Sequence, residues 1–145
     1  MPLKVELKPG ERLIVGDCII TNSDQRTKLY FDGKTPILRE KDILTAQTAN
    51  TPCKRIYFTV QLMYLEDDIE KLRQQYFDLT GELVKAAPST IPYIEKINNE
   101  ILTGSLYKAL KTTKKLIAYE RELFENATTG KRGLSAGSKT DFEPK

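Results

Sequence analysis

The sequence predicts an α+β fold, a small antiparallel β module of about five short strands followed by a four-helix C-terminal region and a disordered tail. Over the first 40 residues, apolar and polar positions alternate between closely spaced turn signals, the pattern of half-buried strands. After Thr51-Pro52 the apolar positions recur at helical spacing. After Asn126 the chain is rich in Gly, Ser, Thr and Lys and shows no periodicity.

Leu3, Val5 and Leu7, separated by Lys4 and Glu6, make the first strand. Pro9-Gly10 turns the chain into Arg12-Leu13-Ile14-Val15, and Gly16-Asp17 turns it into Cys18-Ile19-Ile20-Thr21. Asn22-Ser23-Asp24 is a polar connection to Lys28-Leu29-Tyr30-Phe31. Asp32-Gly33 is a hairpin signal before Thr35-Pro36-Ile37-Leu38-Arg39. Strands this short and close predict an antiparallel meander curled into a small barrel or sandwich.

Thr51 is an N-cap, with Pro52 at the first helical position. Ile56, Tyr57, Phe58, Val60, Leu62, Met63, Tyr64 and Leu65 leave residues 52–65 apolar on nearly every face, so this helix is expected to be buried. Glu66-Asp67-Asp68 interrupts it and caps a second helix with the stripe Ile69, Leu72, Tyr76, Leu79 and Leu83. Pro88-Ser89-Thr90 breaks the chain; Ile94, Ile97 and Ile101 mark a third helix ending at Gly104. Ser105 opens a fourth, about 105–125, whose apolar face is Leu106, Ala109, Leu110, Thr113, Leu116, Ile117, Leu123 and Phe124. The domain reading is a β module over 1–45, a helical region packed on it over 46–126, and a flexible tail over 127–145.

The 145 residues include no histidine. That removes the commonest general base and metal ligand, together with Ser-His and Cys-His nucleophile pairs. Two cysteines are a poor basis for zinc; Cys18 and Cys53, each alone in an apolar context, read as reduced core thiols. Gly10 and Gly16 fit no phosphate-loop spacing and serve turns. Asp67 and Asp68 stand where a helix begins and suit its dipole. No enzyme, cofactor or metal is expected. No apolar run approaches the ~18 residues of a membrane span, and Lys4, Glu6 and Lys8 leave no signal-peptide core. A cytoplasmic protein without membrane association is expected.

Lys and Arg number 23 against 20 Asp and Glu, a net +3. Residues 108–145 carry nine basic and five acidic groups, so the excess lies at the C-terminal end. Lys108, Lys111, Lys114 and Lys115 share a helical sector of about 120° opposite the apolar face. A solvated face is the plain reading, and a phosphate-contacting stripe the functional one. Glu120 falls inside the apolar stripe, where a carboxylate needs a partner; Arg55 is the expected one. Arg12, Arg26, Lys28 and Arg39 decorate the β module, and Lys54 and Arg55 open the buried helix, with Tyr30, Phe31, Tyr57 and Tyr64 among them. Basic groups interleaved with aromatics suit RNA, whose phosphates pair and whose bases stack. Lys8, Arg12, Arg39, Lys54 and Arg55 are the candidate RNA-binding residues.

Leu7-Lys8-Pro9-Gly10-Glu11-Arg12 with Val15-Gly16-Asp17 resembles the opening of the FlbT family of flagellar regulators. Ala49-Asn50-Thr51-Pro52-Cys53-Lys54-Arg55-Ile56-Tyr57-Phe58-Thr59-Val60-Gln61 is similar to that family's TPLRQLYFxVQ block, and Gly104-Ser105-Leu106-Tyr107-Lys108-Ala109-Leu110-Lys111 to its GxxYxALK block. In order, the three blocks cover most of residues 3–125. Gly10-Glu11-Arg12-Leu13-Ile14-Val15-Gly16-Asp17 and Ile37-Leu38-Arg39-Glu40 bear a fainter likeness to the carbon storage regulator, a small β RNA-binding dimer; that likeness singles out Arg39.

The family resemblance implies a post-transcriptional regulator of flagellin synthesis. It would associate with the 5′ leader of flagellin mRNA, alter translation or stability, and have a FlaF-like flagellar regulator as partner. The alternative is a protein-interaction module of flagellar assembly, with RNA contact only indirect. A homo-oligomer, dimer or higher, is expected because the first helix is very apolar and the first strand is short.

Overall fold

The computed structural model describes residues 3–133, with side chains for 3–127. The chain divides into two compact units between Ile43 and Leu44.

The first unit holds five strands, β1 (Leu3–Leu7), β2 (Arg12–Val15), β3 (Cys18–Thr21), β4 (Thr27–Phe31) and β5 (Ile37–Arg39). All pairings are antiparallel, but the order is not that of a meander. β1 pairs with β4, and β2 sits between β3 and β5. The two sheets share a core of Val5, Leu7 and Leu13, against which Val15, Leu29, Phe31 and Ile37 pack. Polar links decide this order. Asn22 donates through Nδ2 to the carbonyls of Lys8 (2.9 Å) and Gln25 (2.8 Å), and its Oδ1 accepts from Thr27 Oγ1 at 3.1 Å. It thereby ties the end of β1 to the start of β4. Gly16, at φ +62°, turns β2 into β3 and donates its N–H to Pro36 O at 2.9 Å, which brings in β5. β3 is an edge strand exposed along its whole length.

The second unit holds α1 (Pro52–Glu66), α2 (Arg73–Ala86), α3 (Ile91–Leu102) and α4 (Leu106–Gly133), with short 3-10 turns between. Thr51 caps α1 by accepting from Lys54 N–H at 3.2 Å. Asp67 ends it in the left-handed region. Asp68 Oδ1 accepts from Lys71 N–H at 3.2 Å and starts the turn before α2. Gly104, at φ +78°, closes α3 in a Schellman turn: Ser105 N–H reaches Glu100 O (2.7 Å) and Gly104 N–H reaches Ile101 O (3.1 Å).

Side-chain contacts give the order of this unit. Thr51 and Cys53 meet Glu120 at one end of α1, and Tyr64 meets Tyr107 at the other, so α1 and α4 run antiparallel. Tyr93 stacks on Tyr119 (5.1 Å), and Glu100 accepts from Thr112 (2.7 Å), so α3 and α4 also run antiparallel. Tyr76 OH donates to Asn98 at 2.5 Å and joins α2 to α3. Cys53, Ile56, Tyr57, Val60 and Met63 of α1 are all buried within a single chain. α4 runs past residue 127, where the flexible tail was expected to start; residues 134–145 lie outside the described residues. Among the described residues, no helix is long and apolar enough to cross a membrane.

Candidate functional site

The five candidate RNA-binding residues fall into two groups, one in each unit. In the β unit, Lys8 and Arg12 are exposed, while Arg39 is half-buried. Arg39 pairs with Leu13 across β5 and β2, whereas Arg12 pairs with Thr21. Directly paired residues share a sheet face and successive residues alternate. Arg39 therefore stands on the core side with Leu13, and Arg12 on the opposite side. Arg39 Nη2 donates to Glu6 O of β1 at 3.1 Å and lies 3.8 Å from Glu11 Oε2. Its guanidinium thus links the two sheets. Carboxylates also occupy nearby backbone donors: Glu11 Oε1 accepts from Lys8 N–H (2.8 Å) and Glu40 Oε1 from Arg12 N–H (2.7 Å). The cations of this unit are interleaved with acids.

Lys54 and Arg55 stand in the first turn of α1, Lys54 half-buried and Arg55 exposed. Glu120 is buried as expected, only 6% exposed, but Arg55 is not its partner. Its Oε1 accepts from Thr51 Oγ1 at 2.6 Å and its Oε2 from Cys53 N–H at 3.0 Å. The compensation comes from the start of α1. Unsatisfied N–H groups and the positive end of the helix dipole neutralise a carboxylate there without a cation. Thr51 is the relay, accepting from Lys54 N–H and donating to Glu120. This leaves Arg55 facing solvent.

The two cysteines differ, which corrects the expectation of two core thiols. Cys53 is buried and Cys18 exposed on β3, both free. Burial above all, then the charge of Glu120 and a hydrogen bond to it, push the Cys53 thiol far above its usual range. The Tyr57 hydroxyl is pushed up to about 12 by burial, with a smaller contribution from nearby Tyr107. Among the described residues, no cluster of three or more Cys, Asp or Glu could hold a metal.

The lysine face of α4 is exposed at Lys108, Lys111, Lys114 and Lys115, with Tyr107 46% exposed beside them. Lys111 Nζ lies 5.1 Å above the Tyr107 ring, and that ring is 5.9 Å from Tyr64. Sequence reasoning missed Gln61. Buried on α1, it accepts from Leu44 N–H and donates to Leu44 O, both at 2.9 Å. It was hidden because a glutamine among apolar residues carries no periodic signal.

A family model described as flagellar protein FlbT matches residues 3–124. The chain belongs to the FlbT family. This FlbT-family chain is 58% identical over 124 residues to the "Probable flagellum biosynthesis repressor protein FlbT 1" of Bradyrhizobium diazoefficiens, covering 85% of each chain. It is 56% identical over 123 residues to the corresponding FlbT of Rhodopseudomonas palustris, covering 85% of this chain and 98% of that one. The "Flagellum biosynthesis repressor protein FlbT" of Caulobacter vibrioides is 34% identical over 140 residues, covering 94% and 97%. No solved structure matches the chain. The FlbT-like blocks fall on structural joints: Thr51 and Gln61 at the α1 cap and the Leu44 clamp, Gly104 and Tyr107 at the α3–α4 turn and the α1 contact.

Proposed function

We propose that the protein is a post-transcriptional regulator of flagellin synthesis, acting in the cytoplasm by associating with the 5′ leader of flagellin mRNA and changing its translation or stability. Membership of the FlbT family across residues 3–124 carries this reading, and the repressor names of the relatives give its sense. Lys8, Arg12, Lys54 and Arg55 supply solvent-facing or half-buried cations for phosphate contact. Arg39 is tied to Glu6 and Glu11 and offers only part of its fork.

The test is a gel-shift of purified protein with a flagellin leader and a scrambled RNA of the same length, repeated over a salt series. Direct association gives a leader preference and a steep loss with salt. Absence of intrinsic RNA affinity would reject the reading. The Lys8→Gln/Arg12→Gln variant is expected to lower the salt slope by about 1.4, at 0.7 per single-strand phosphate contact. Arg39 is left intact there, since its removal would loosen the two sheets.

The second reading is a protein-interaction module that binds a FlaF-like flagellar regulator. Leu102, 81% exposed, together with exposed Phe77 and Phe124, favours it. Partner capture by a protein lacking RNA affinity would establish that reading instead.

A further inference from the structure

We propose that the exposed lysine face of α4 is a phosphate-binding track, and that it supplies RNA affinity without reading sequence. The proposal rests on the reading of the protein as an RNA-associated regulator, and it places contact on residues outside the five candidates.

Charge distribution is the first ground. From Ile101 to Tyr119 there are four lysines and no carboxylate. That stretch is +4, so the rest of the chain sums to −1, given a total of +3. The next acid, Glu120, is buried against the start of α1 and takes no part in the surface. The ion pairs Arg39–Glu11, Lys71–Glu66 and Arg73–Glu70 leave out Lys108, Lys111 and Lys115. In the β unit, by contrast, eight basic residues up to Ile43 meet seven acidic ones.

Placement is the second. α4 buries one side against α1 and another against α3 through Glu120, Thr112 and Tyr119. The helical phase leaves Lys108, Lys111 and Lys115 on the remaining side, one turn apart, spanning about 10 Å at 1.5 Å per residue. The Tyr107 ring under Lys111 Nζ positions that ammonium at the surface. Lysine is depleted from the centres of protein interfaces, whereas a row of point charges suits a polyphosphate backbone. A nucleic-acid strand is therefore the occupant.

The experiment uses the full chain and labelled single-stranded RNA, the flagellin leader and its scrambled counterpart. Binding is measured by fluorescence polarisation from 50 to 300 mM salt. The Lys108→Gln/Lys111→Gln/Lys115→Gln variant is expected to fold like the parent, because all three side chains are exposed. It should bind both RNAs at least tenfold more weakly, with a salt slope lower by about 2. The ratio of leader to scrambled affinity should stay unchanged. A parent that binds leader while the variant keeps its affinity and slope would overturn the track but leave the regulator reading standing. A loss confined to the leader would overturn the sequence-blind assignment. A parent with no RNA affinity removes both readings. Unchanged RNA binding with lost capture of an acidic protein would assign the face to protein instead.

Discussion

Glu120 shows how far a helical phase can be trusted and where it stops. Spacing put it in the apolar stripe, and it is buried. Spacing could not name its partner, because the groups that compensate it are a hydroxyl and a backbone N–H at a helix start. Glu120→Ala leaves Thr51 Oγ1 and Cys53 N–H without an acceptor in a buried place. It is expected to cost about 2–3 kcal/mol in denaturant unfolding, against under about 0.5 for exposed Glu122→Ala. Glu120→Gln keeps one accepting oxygen and should fall between the two. Equal small losses for both alanine variants would overturn the capping role. The Cys53 thiol beside it gives a pH prediction. As pH rises through about 9, the unfolded chain releases a proton that the folded chain retains. The unfolded state then binds fewer protons, so stability is complete below that pH and falls above it, by up to about 1.4 kcal/mol per pH unit. Tyr57 and Tyr76, both raised chiefly by burial, add to the loss above about pH 10. Unfolding at pH 8 to 11 should show this decline, and Cys53→Ala should delay its onset.

At the scale of elements, the turns do more than join neighbours. Gly16 pairs the ends of β2 and β3 and also donates to Pro36, which sets β5 beside β2. Its φ of +62° disfavours any side chain, and an added Cβ would stand 3.0 Å from Thr35 Cγ2. Gly10, at φ +75°, has open space around it. Gly10→Ala should cost about 1 kcal/mol from backbone alone, and Gly16→Ala about 2 or more. Thr35→Ser removes the offending methyl and should recover part of the Gly16→Ala loss, which a double-mutant cycle measures. Equal costs at the two glycines would show that the Thr35 contact is relieved freely. Strand positions could be read in the sequence because alternation and turn residues are local. Strand order could not: β1 skips to β4 through the side-chain bonds of Asn22, a residue that reads as ordinary loop. The helix start at Thr51 and the stop at Gly104 were legible for the same local reason, whereas Asp67, expected at a helix beginning, ends α1 in the left-handed region and leaves Asp68 to start the next turn.

At the scale of the whole molecule, the ground for self-association shifts. The apolar face of α1 is satisfied inside one chain, with Ile56 and Val60 fully buried. One open apolar edge is β3, where Ile19 is 66% exposed on an edge strand carrying no charge, and unprotected edges invite pairing. Light scattering at increasing concentration is expected to show a dimer or larger species. A monomer at high concentration would remove homo-oligomerisation from the reading.

The five strands, four helices, the Thr51 cap of α1, the Gly104 stop of α3 and the burial of Glu120 were determined by the sequence alone, because each depends on residues within a turn or two of one another; the expected cap of the second helix at Glu66-Asp67-Asp68 is not formed, since α2 begins only at Arg73 and without a side-chain cap. So was the family, through blocks whose residues stand next to each other in the chain. Tertiary structure decided strand order, the partner of Glu120, the opposite faces of Arg12 and Arg39, and the exposure of Cys18. Each of these depends on groups brought together from distant positions, Glu120 onto Thr51 and Arg39 onto Glu6. Local periodicity says which side of an element is apolar, and only folding says which backbone donor or carbonyl waits on that side.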